Sequence, residues 1–121
     1  EPKFREPVKT TYRGYEVAAF APPSGGCALV EMLNILENYD VRSMGHNTAA
    51  SIHALTESMK LGFADRSVAL GDPDFVNVDV ERLTSKKFAH ERFTLAKRRE
   101  SLHRPMESKQ NSILEIHPIS W

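Results

Sequence analysis

The sequence predicts a mainly α-helical chain with one or two short β-strands. Apolar residues recur at helical spacing in three stretches, whereas β-favoured residues with partial alternation occur only in two short runs. The length of 121 residues fits one small domain. With 40% apolar and 26% charged residues, the composition is ordinary for a globular protein and excludes a disordered or fibrous chain.

The first elements are predicted to be extended. Residues 1–11 contain two prolines among charged residues, which disfavours a helix. A strand is predicted over residues 12–20, where aromatic and β-favoured residues alternate in part, and the following pair of prolines ends it. Residues 24–26 form the turn into the first helix.

The first helix is predicted over residues 27–38, with Ser24 or Gly25 as its N-cap. Its apolar residues follow the i, i+3, i+4, i+7 spacing of a helix with one buried stripe. The stripe consists of Leu29, Met32, Leu33 and Leu36.

A second helix is predicted from about Asn47, its N-cap, to Ala69. Gly62 within it should cost about 1 kcal/mol relative to alanine, so this helix is expected to depend on packing. The apolar residues on one side are Ile52, Leu55, Met59 and Phe63.

The second half of the chain predicts a turn, a short extended piece and a third helix. Residues 71–74, Gly-Asp-Pro-Asp, are the turn, and residues 75–80 alternate briefly as an extended piece. Thr84 or Ser85 caps the third helix, which runs to about Arg99.

The basic residues are concentrated near the end of the chain, although the formal net charge is zero. Residues 86–104 contain seven Lys or Arg against two Glu. Such a patch is typical of a solvated helix face, and no recognised binding motif accompanies it, so no nucleic-acid partner is predicted. An alternative function stays open: a stand-alone helical module that docks on an acidic partner through this basic segment.

The residues themselves predict no metal, cofactor or catalytic site. The five histidines are dispersed, with no His-x-x-x-His or Cys/His cluster, and no phosphate loop or Gly-x-Ser-x-Gly elbow occurs. Cys27 is the single cysteine and is predicted to be a small buried residue at a helix start. No run approaches the roughly 18 apolar residues of a membrane span.

Two polar groups have both a structural and a binding interpretation. Residues 24–26 could offer backbone N–H groups to an anion, although they also fit an ordinary strand-to-helix turn. Asp65, Asp72 and Asp74 could bind a cation, but the other spaced ligands of a calcium loop are absent. The favoured prediction is structural: Asp65 or Asp72 pairs with Arg66 and caps backbone groups at the turn.

Seven runs of residues in fixed order carry a family resemblance over residues 5–93. They are Arg5-Glu6-Pro7, Tyr12-Arg13-Gly14-Tyr15-Glu16-Val17, Pro22-Pro23-Ser24-Gly25-Gly26, Met32-Leu33-Asn34-Ile35-Leu36-Glu37, Met59-Lys60-Leu61, Ala64-Asp65-Arg66 and Gly71-Asp72-Pro73-Asp74-Phe75. Together they resemble the late part of the large subunit of the gamma-glutamyltranspeptidase family, just upstream of the self-cleavage point. The family has two serines before the glycine pair, where this chain has only Ser24.

The resemblance implies a fragment of an N-terminal-nucleophile hydrolase with a four-layer αββα fold, made as a precursor that cuts itself into two subunits. In that family the new N-terminal threonine is the nucleophile that transfers or hydrolyses the gamma-glutamyl group of glutathione. The implied partners are a small-subunit segment and gamma-glutamyl compounds, and no cofactor is implied. The parent enzyme is expected to be periplasmic or extracellular. A sister acylase of the same superfamily is an alternative.

The nucleophile of that family is missing from this chain. Residues 107–110, Glu-Ser-Lys-Gln, resemble the run before the cut, but residues 111–113, Asn-Ser-Ile, replace the Thr-Thr-His that follows it. Asn111 has no hydroxyl or thiol, and too few residues follow Ser112 for the strands that carry an oxyanion hole. No catalytic residue is therefore assigned, and the chain alone is expected to be inactive.

The resemblance divides the chain into two regions. Residues 1–94 are predicted to be the large-subunit-like fragment, and residues 95–121 a divergent, poorly ordered tail. Because the family motifs end abruptly, residues 111–121 are expected to be out of frame or the end of a truncated gene product.

Overall fold

A computed structural model of the chain describes residues 1–102. This part contains two β-strands, β1 (Val8–Tyr12) and β2 (Tyr15–Ala19). The helices that follow are α1 (Gly26–Leu36), α2 (Val41–Met44), α3 (Ala49–Ala69), α4 (Val80–Leu83) and α5 (Lys86–Leu102). The predicted class, mainly α with one or two short strands, is confirmed.

The two strands form an antiparallel hairpin, in which Val8 lies opposite Ala19 and Tyr12 opposite Tyr15. Arg13 and Gly14 form the connection, and both have positive φ angles, 48° and 86°. Two-residue hairpin turns with this geometry match the natural twist of paired strands. The prediction of one strand over residues 12–20 is wrong because the turn lies inside that range and β1 begins in the preceding segment.

Helix α1 buries a different face from the one predicted. Cys27, Val30, Asn34 and Ile35 are buried, whereas Leu29 is 49% exposed. The other three residues of the predicted stripe are only half-buried. The reason is that α1 contacts α3, α5 and the hairpin, so more than one side of the helix is buried. The buried positions include the polar residue Asn34, which forms a hydrogen bond with Thr84 O.

Helix α3 packs on α1 through its small residues. Ala54, Ser58 and Gly62 are its buried positions, spaced four apart on one face. A Cβ atom at Gly62 would lie 2.5 Å from Cγ of Met32, so glycine allows the two helices to approach closely. The larger apolar side chains predicted on one side of α3 lie on its outer face, where Phe63, for example, is 51% exposed.

Hydroxyl side chains cap the N-termini of α3 and α5, although the cap of α3 is not the predicted residue. Thr48 is the N-cap of α3 and accepts a hydrogen bond from Ser51 N at 3.2 Å. Asn47, the predicted cap, instead has a φ of 51°. Ser85, one of the two predicted caps of α5, accepts a hydrogen bond from Phe88 N at 3.1 Å.

The segment between α3 and α5 is a turn followed by a short helix. Residues 73–75 form the turn, and Asp72 O accepts hydrogen bonds from Phe75 N and Val76 N, both at 2.9 Å. The extended piece predicted over residues 75–80 pairs with no strand in the described part, and Val80 already begins α4. Asp79 caps α4 through a hydrogen bond from Arg82 N, which explains why the alternation stops there.

Two small clusters form the core. One contains Ile35, Tyr39, Ala54 and Ala89, where α1, α3 and α5 meet, and the other joins the hairpin to α1 through Val8, Cys27 and Val30. Helix α5 continues through Leu102, so residues 95–102 of the predicted tail are helical, while residues 103–121 lie outside the described part. Within residues 1–102 no helix has the length and apolar character needed to cross a bilayer.

Candidate functional site

The predicted strand-to-helix turn is closely packed against the end of the hairpin. Gly25 is the N-cap of α1, as predicted, and no side chain caps this helix. Ser24 N donates a hydrogen bond to Ala21 O at 3.1 Å. A Cβ atom at Gly26 would lie 2.0 Å from the carbonyl oxygen of Phe20, so only glycine fits this position.

The turn and the end of α3 form one surface. Ser24, Arg66 and Asp72 line a cleft of about 370 Å³ between the turn that precedes α1 and the C-terminal end of α3. The sequence singled out these residues separately, and the fold brings them together. The cleft therefore presents a hydroxyl, a guanidinium and a carboxylate to solvent, a combination suited to a small polar group or to a polar segment of another chain.

The ion pairs of the aspartates differ from the prediction. Asp72 caps the turn, as predicted, because its Oδ1 accepts a hydrogen bond from Asp74 N at 3.0 Å. Asp74 pairs with Lys3 at 2.5 Å and with Arg5 at 3.3 Å. The hydrogen bond from Lys3 and the charges of both cations lower the pKa of Asp74.

The predicted ion pair between Asp65 and Arg66 is wrong, because the partner of Asp65 is Arg92. Asp65 accepts two hydrogen bonds from Arg92 of α5, from Nε at 2.7 Å and from Nη2 at 2.8 Å. The reason is geometric: Asp65 lies on the side of α3 that faces α5, whereas Arg66, one residue further, is exposed. The turn is thus tied to the N-terminal segment and α3 to α5.

Glu31 is a buried residue that the sequence analysis missed. The residue is 1% exposed and lies next to the Asp65–Arg92 pair, and its Oε1 has no hydrogen-bond partner within residues 1–102. Burial raises the pKa of Glu31 to about 9, the neighbouring carboxyl group of Asp65 raises it further, and the charge of Arg92 opposes them. The available signal was its spacing, because Glu31 falls four residues after Cys27 and four before Ile35.

Asn34 is a second buried polar residue that the sequence did not reveal. It is 1% exposed, and its Oδ1 accepts hydrogen bonds from Thr10 Oγ1 and Lys86 Nζ, both at 2.7 Å. Its Nδ2 donates to Thr84 O at 2.9 Å. Lys86 also contacts Thr11 O, so one amide and one ammonium connect the hairpin, α1 and the start of α5.

Three basic residues of α5, Lys86, Arg92 and Lys97, have acidic partners within the fold. Lys86 pairs with Glu37 at 3.2 Å, and Lys97 pairs with Glu100 at 3.0 Å while lying 4.8 Å from the ring centre of Tyr39. With Arg92 bound to Asp65, three cations of the segment stabilise the fold. This arrangement weakens the alternative of a basic docking helix, because these charges are already compensated.

Two of the three histidines in residues 1–102, His53 and His90, contact a polar side chain. His53 Nε2 lies 2.8 Å from Glu100 Oε1, and His90 Nδ1 lies 3.1 Å from Asn38 Oδ1. Within residues 1–102 no group of three His, Cys, Asp or Glu side chains is placed to hold a metal ion.

Cys27 is fully buried, as predicted, and burial raises the pKa of its thiol, with Glu31 adding to the effect. His103, His117 and residues 107–113, the segment predicted to correspond to the cleavage region of the family, lie outside the described part.

Comparison with known proteins identifies the family. A family model described as gamma-glutamyltranspeptidase matches residues 1–118. An acylase ACY 1 proenzyme of Pseudomonas sp. (strain SE83) is 48% identical over 94 residues, which cover 77% of this chain and 17% of that protein. A glutathione hydrolase proenzyme of Escherichia coli (strain K12) is 46% identical over 86 residues, 70% of this chain and 15% of the relative.

A solved structure shows the same fold. The gamma-glutamyltranspeptidase of Helicobacter pylori matches with a TM-score of 0.74 and 42% identity, covering 77% of this chain and 27% of that one. This confirms the expected fold, a fragment of an N-terminal-nucleophile hydrolase. The chain spans about a sixth of the length of the curated relatives it matches. Because the gamma-glutamyltranspeptidase model matches residues 1–118, this chain belongs to the gamma-glutamyltranspeptidase family.

Proposed function

We propose that this chain is part of a gamma-glutamyltransferase or glutathione hydrolase, in which it builds the helical layer beside the catalytic site. The observation that carries the proposal is the family match over residues 1–118, within which the motifs occur in the expected order. In the whole enzyme an N-terminal threonine would transfer or hydrolyse the gamma-glutamyl group of glutathione. This chain lacks that threonine and is inactive alone.

The outer surface supports the role of one layer in a larger enzyme. Leu29 of α1 and Leu55, Met59 and Phe63 of α3 are 40–51% exposed, and the three residues of α3 share one face because they are spaced four apart. Within residues 1–102 the sheet consists of the two-stranded hairpin, so its outer edges are not paired with a further strand of this part. Both features suit a piece that other segments of the same enzyme, including a small subunit, would cover.

An acylase of the same superfamily is the second candidate. The acylase relative is 48% identical and the glutathione hydrolase 46% identical over nearly the same residues, so similarity does not separate the two. The contacts that distinguish the region, such as Asn34 with Lys86 and Asp65 with Arg92, hold elements of the fold together. Substrate choice therefore depends on other parts of the enzyme.

The first experiment tests whether the chain acts alone. The purified 121-residue chain is incubated with a chromogenic gamma-glutamyl anilide, and its mass is measured in the same sample. We expect no chromophore and an unchanged mass of 13.7 kDa. Turnover together with a cut near residue 110 would mean that a displaced nucleophile such as Ser112 works and that the inactive-fragment proposal is wrong.

The second experiment tests the role in the enzyme. Residues 5–93 replace the matching stretch of the E. coli glutathione hydrolase proenzyme and, in parallel, of the Pseudomonas acylase proenzyme. We expect the hydrolase chimera to cut itself and to release the anilide chromophore. The control is the same chimera with its small-subunit threonine nucleophile replaced by alanine, which should stay silent. If only the acylase chimera matured, the acylase alternative would be favoured.

A further inference from the structure

A carboxyl group without a cation of its own lies at the junction of three helices. Glu31 of α1 is 1% exposed, and no Lys, Arg or His in residues 1–102 forms an ion pair with it. Its neighbours are Asp65 of α3, Arg92 of α5 and Cys27 of its own helix. Arg92 already donates two hydrogen bonds to Asp65, which is the pairing expected of an ionised carboxylate.

We propose that Glu31 is a neutral carboxylic acid at physiological pH, that its proton bonds it to Asp65, and that loss of this proton loosens α1 from α3 and α5. Two carboxyl groups in hydrogen-bond contact need one proton between them, since two carboxylates have only acceptors. Arg92 is engaged by Asp65, so Glu31 is the member that keeps the proton. An ionised Glu31 would be a buried charge next to another negative charge, which is strongly unfavourable.

The proton gives the helix junction a defined pH response. Burial, followed by Asp65, raises the pKa of Glu31 from 4.5 to about 9 in the folded chain. The folded chain then holds about one more proton than the unfolded chain between these values, so its stability falls as pH rises through this window. Below pH 4.5 both states are protonated and this effect is constant.

The response reaches the candidate site through α1. The helix begins at Gly26, directly after the turn that contributes Ser24 to the cleft. Gly26 is in van der Waals contact with the backbone of Phe20, so a shift of α1 would have to move the turn as well. Ionisation of Glu31 is therefore a conformational switch that acts on the wall of the cleft, and it does not depend on the proposed enzymatic function.

The test compares three forms of the full chain: wild type, Glu31→Gln and the control Glu91→Gln. Glu91 is an exposed residue of α5, so its substitution makes the same chemical change outside the junction. Infrared spectra at pH 7 in heavy water report the carbonyl band of a protonated carboxylic acid. Urea unfolding midpoints between pH 5 and pH 9 report the linkage.

We expect the band in wild type and in Glu91→Gln and its absence in Glu31→Gln. Between pH 5 and pH 9 the unfolding constant should rise up to about tenfold per pH unit more steeply in the two proteins with Glu31 than in Glu31→Gln. Absence of the band in wild type, or equal slopes in all three forms, would overturn the proposal. So would an unfolded Glu31→Gln chain beside a folded wild type, because the amide keeps a donor for Asp65.

Discussion

Replacement of Gly26 by alanine tests the tightest contact of the fold. The new Cβ would lie 2.0 Å from the carbonyl oxygen of Phe20 and 2.8 Å from its nitrogen. Ordinary carbon–oxygen contacts begin at about 3.3 Å, so the strand end and the helix must separate by more than about 1 Å. Overpacking costs about 1–3 kcal/mol, and backbone atoms cannot rotate away as side chains do, which places this change at the upper end. The gain in helix propensity offsets at most about 1 kcal/mol.

We therefore expect Gly26→Ala to lower the free energy of unfolding by about 2 kcal/mol, or the melting temperature by roughly 10 °C for a chain of this size. Thermal and urea unfolding followed by far-ultraviolet circular dichroism measure both quantities. Gly25→Ala is the matched control, since nothing lies within 4 Å of a Cβ atom there. A loss below about 0.5 kcal/mol in Gly26→Ala, or the same loss in both variants, would show that the strand end does not constrain the start of α1.

Two further substitutions test the helix caps and the helix junction. Thr48→Ala should cost about 1 kcal/mol, because it removes the acceptor for Ser51 N, whereas Asn47→Gly should be neutral or slightly stabilising at a φ of 51°; urea midpoints that rank the two variants in the opposite order would return the cap to Asn47. Arg92→Ala should cost about 2–4 kcal/mol, because it leaves Asp65, only 17% exposed, without its two hydrogen bonds. An effect under about 1 kcal/mol in chemical unfolding would mean that water or another cation replaces the guanidinium.

Features that depend on a few adjacent residues were predictable. The C-terminal end of α3 at Ala69, the start of α5 with its cap at Ser85 and the turn over residues 71–74 follow from local capping and turn chemistry. The Arg13-Gly14 hairpin was missed although its signal is also local, because the turn lies within a run that alternates like a single strand.

Which helix face is buried was predicted wrongly for α1. The stripe rule assumes that large apolar side chains face the core and polar ones face water. In α1 the buried positions include Asn34, which accepts hydrogen bonds from Thr10 and Lys86, and Glu31, which lies beside Asp65 of α3. None of these partners lies nearby in the sequence, so helical spacing alone could not identify them.

In the candidate site, too, the sequence identified individual residues, whereas their arrangement depends on packing. Ser24, Arg66 and Asp72 stood out from the sequence, but their meeting in one cleft depends on how the end of α3 packs beside the start of α1. The aspartates illustrate the difference in a single segment. Capping of Asp74 N by Asp72 is local and was predicted, whereas the choice of Arg92 over Arg66 as the partner of Asp65 depends on the position of α5.

The amino-acid sequence alone was sufficient for the family, the mainly helical class and the approximate helix bounds, since these depend on motif order and on periodicity within short stretches. The tertiary structure was needed for the buried faces, the ion pairs and the raised pKa of Glu31, which depend on distances between residues far apart in the sequence, such as Asp65 and Arg92, 27 positions apart. The physical reason is the low dielectric of the helix junction. In a low dielectric, one missing or additional hydrogen-bond partner strongly changes the free energy of a buried polar group. Only the packing of the helices determines which partners are within reach of that group.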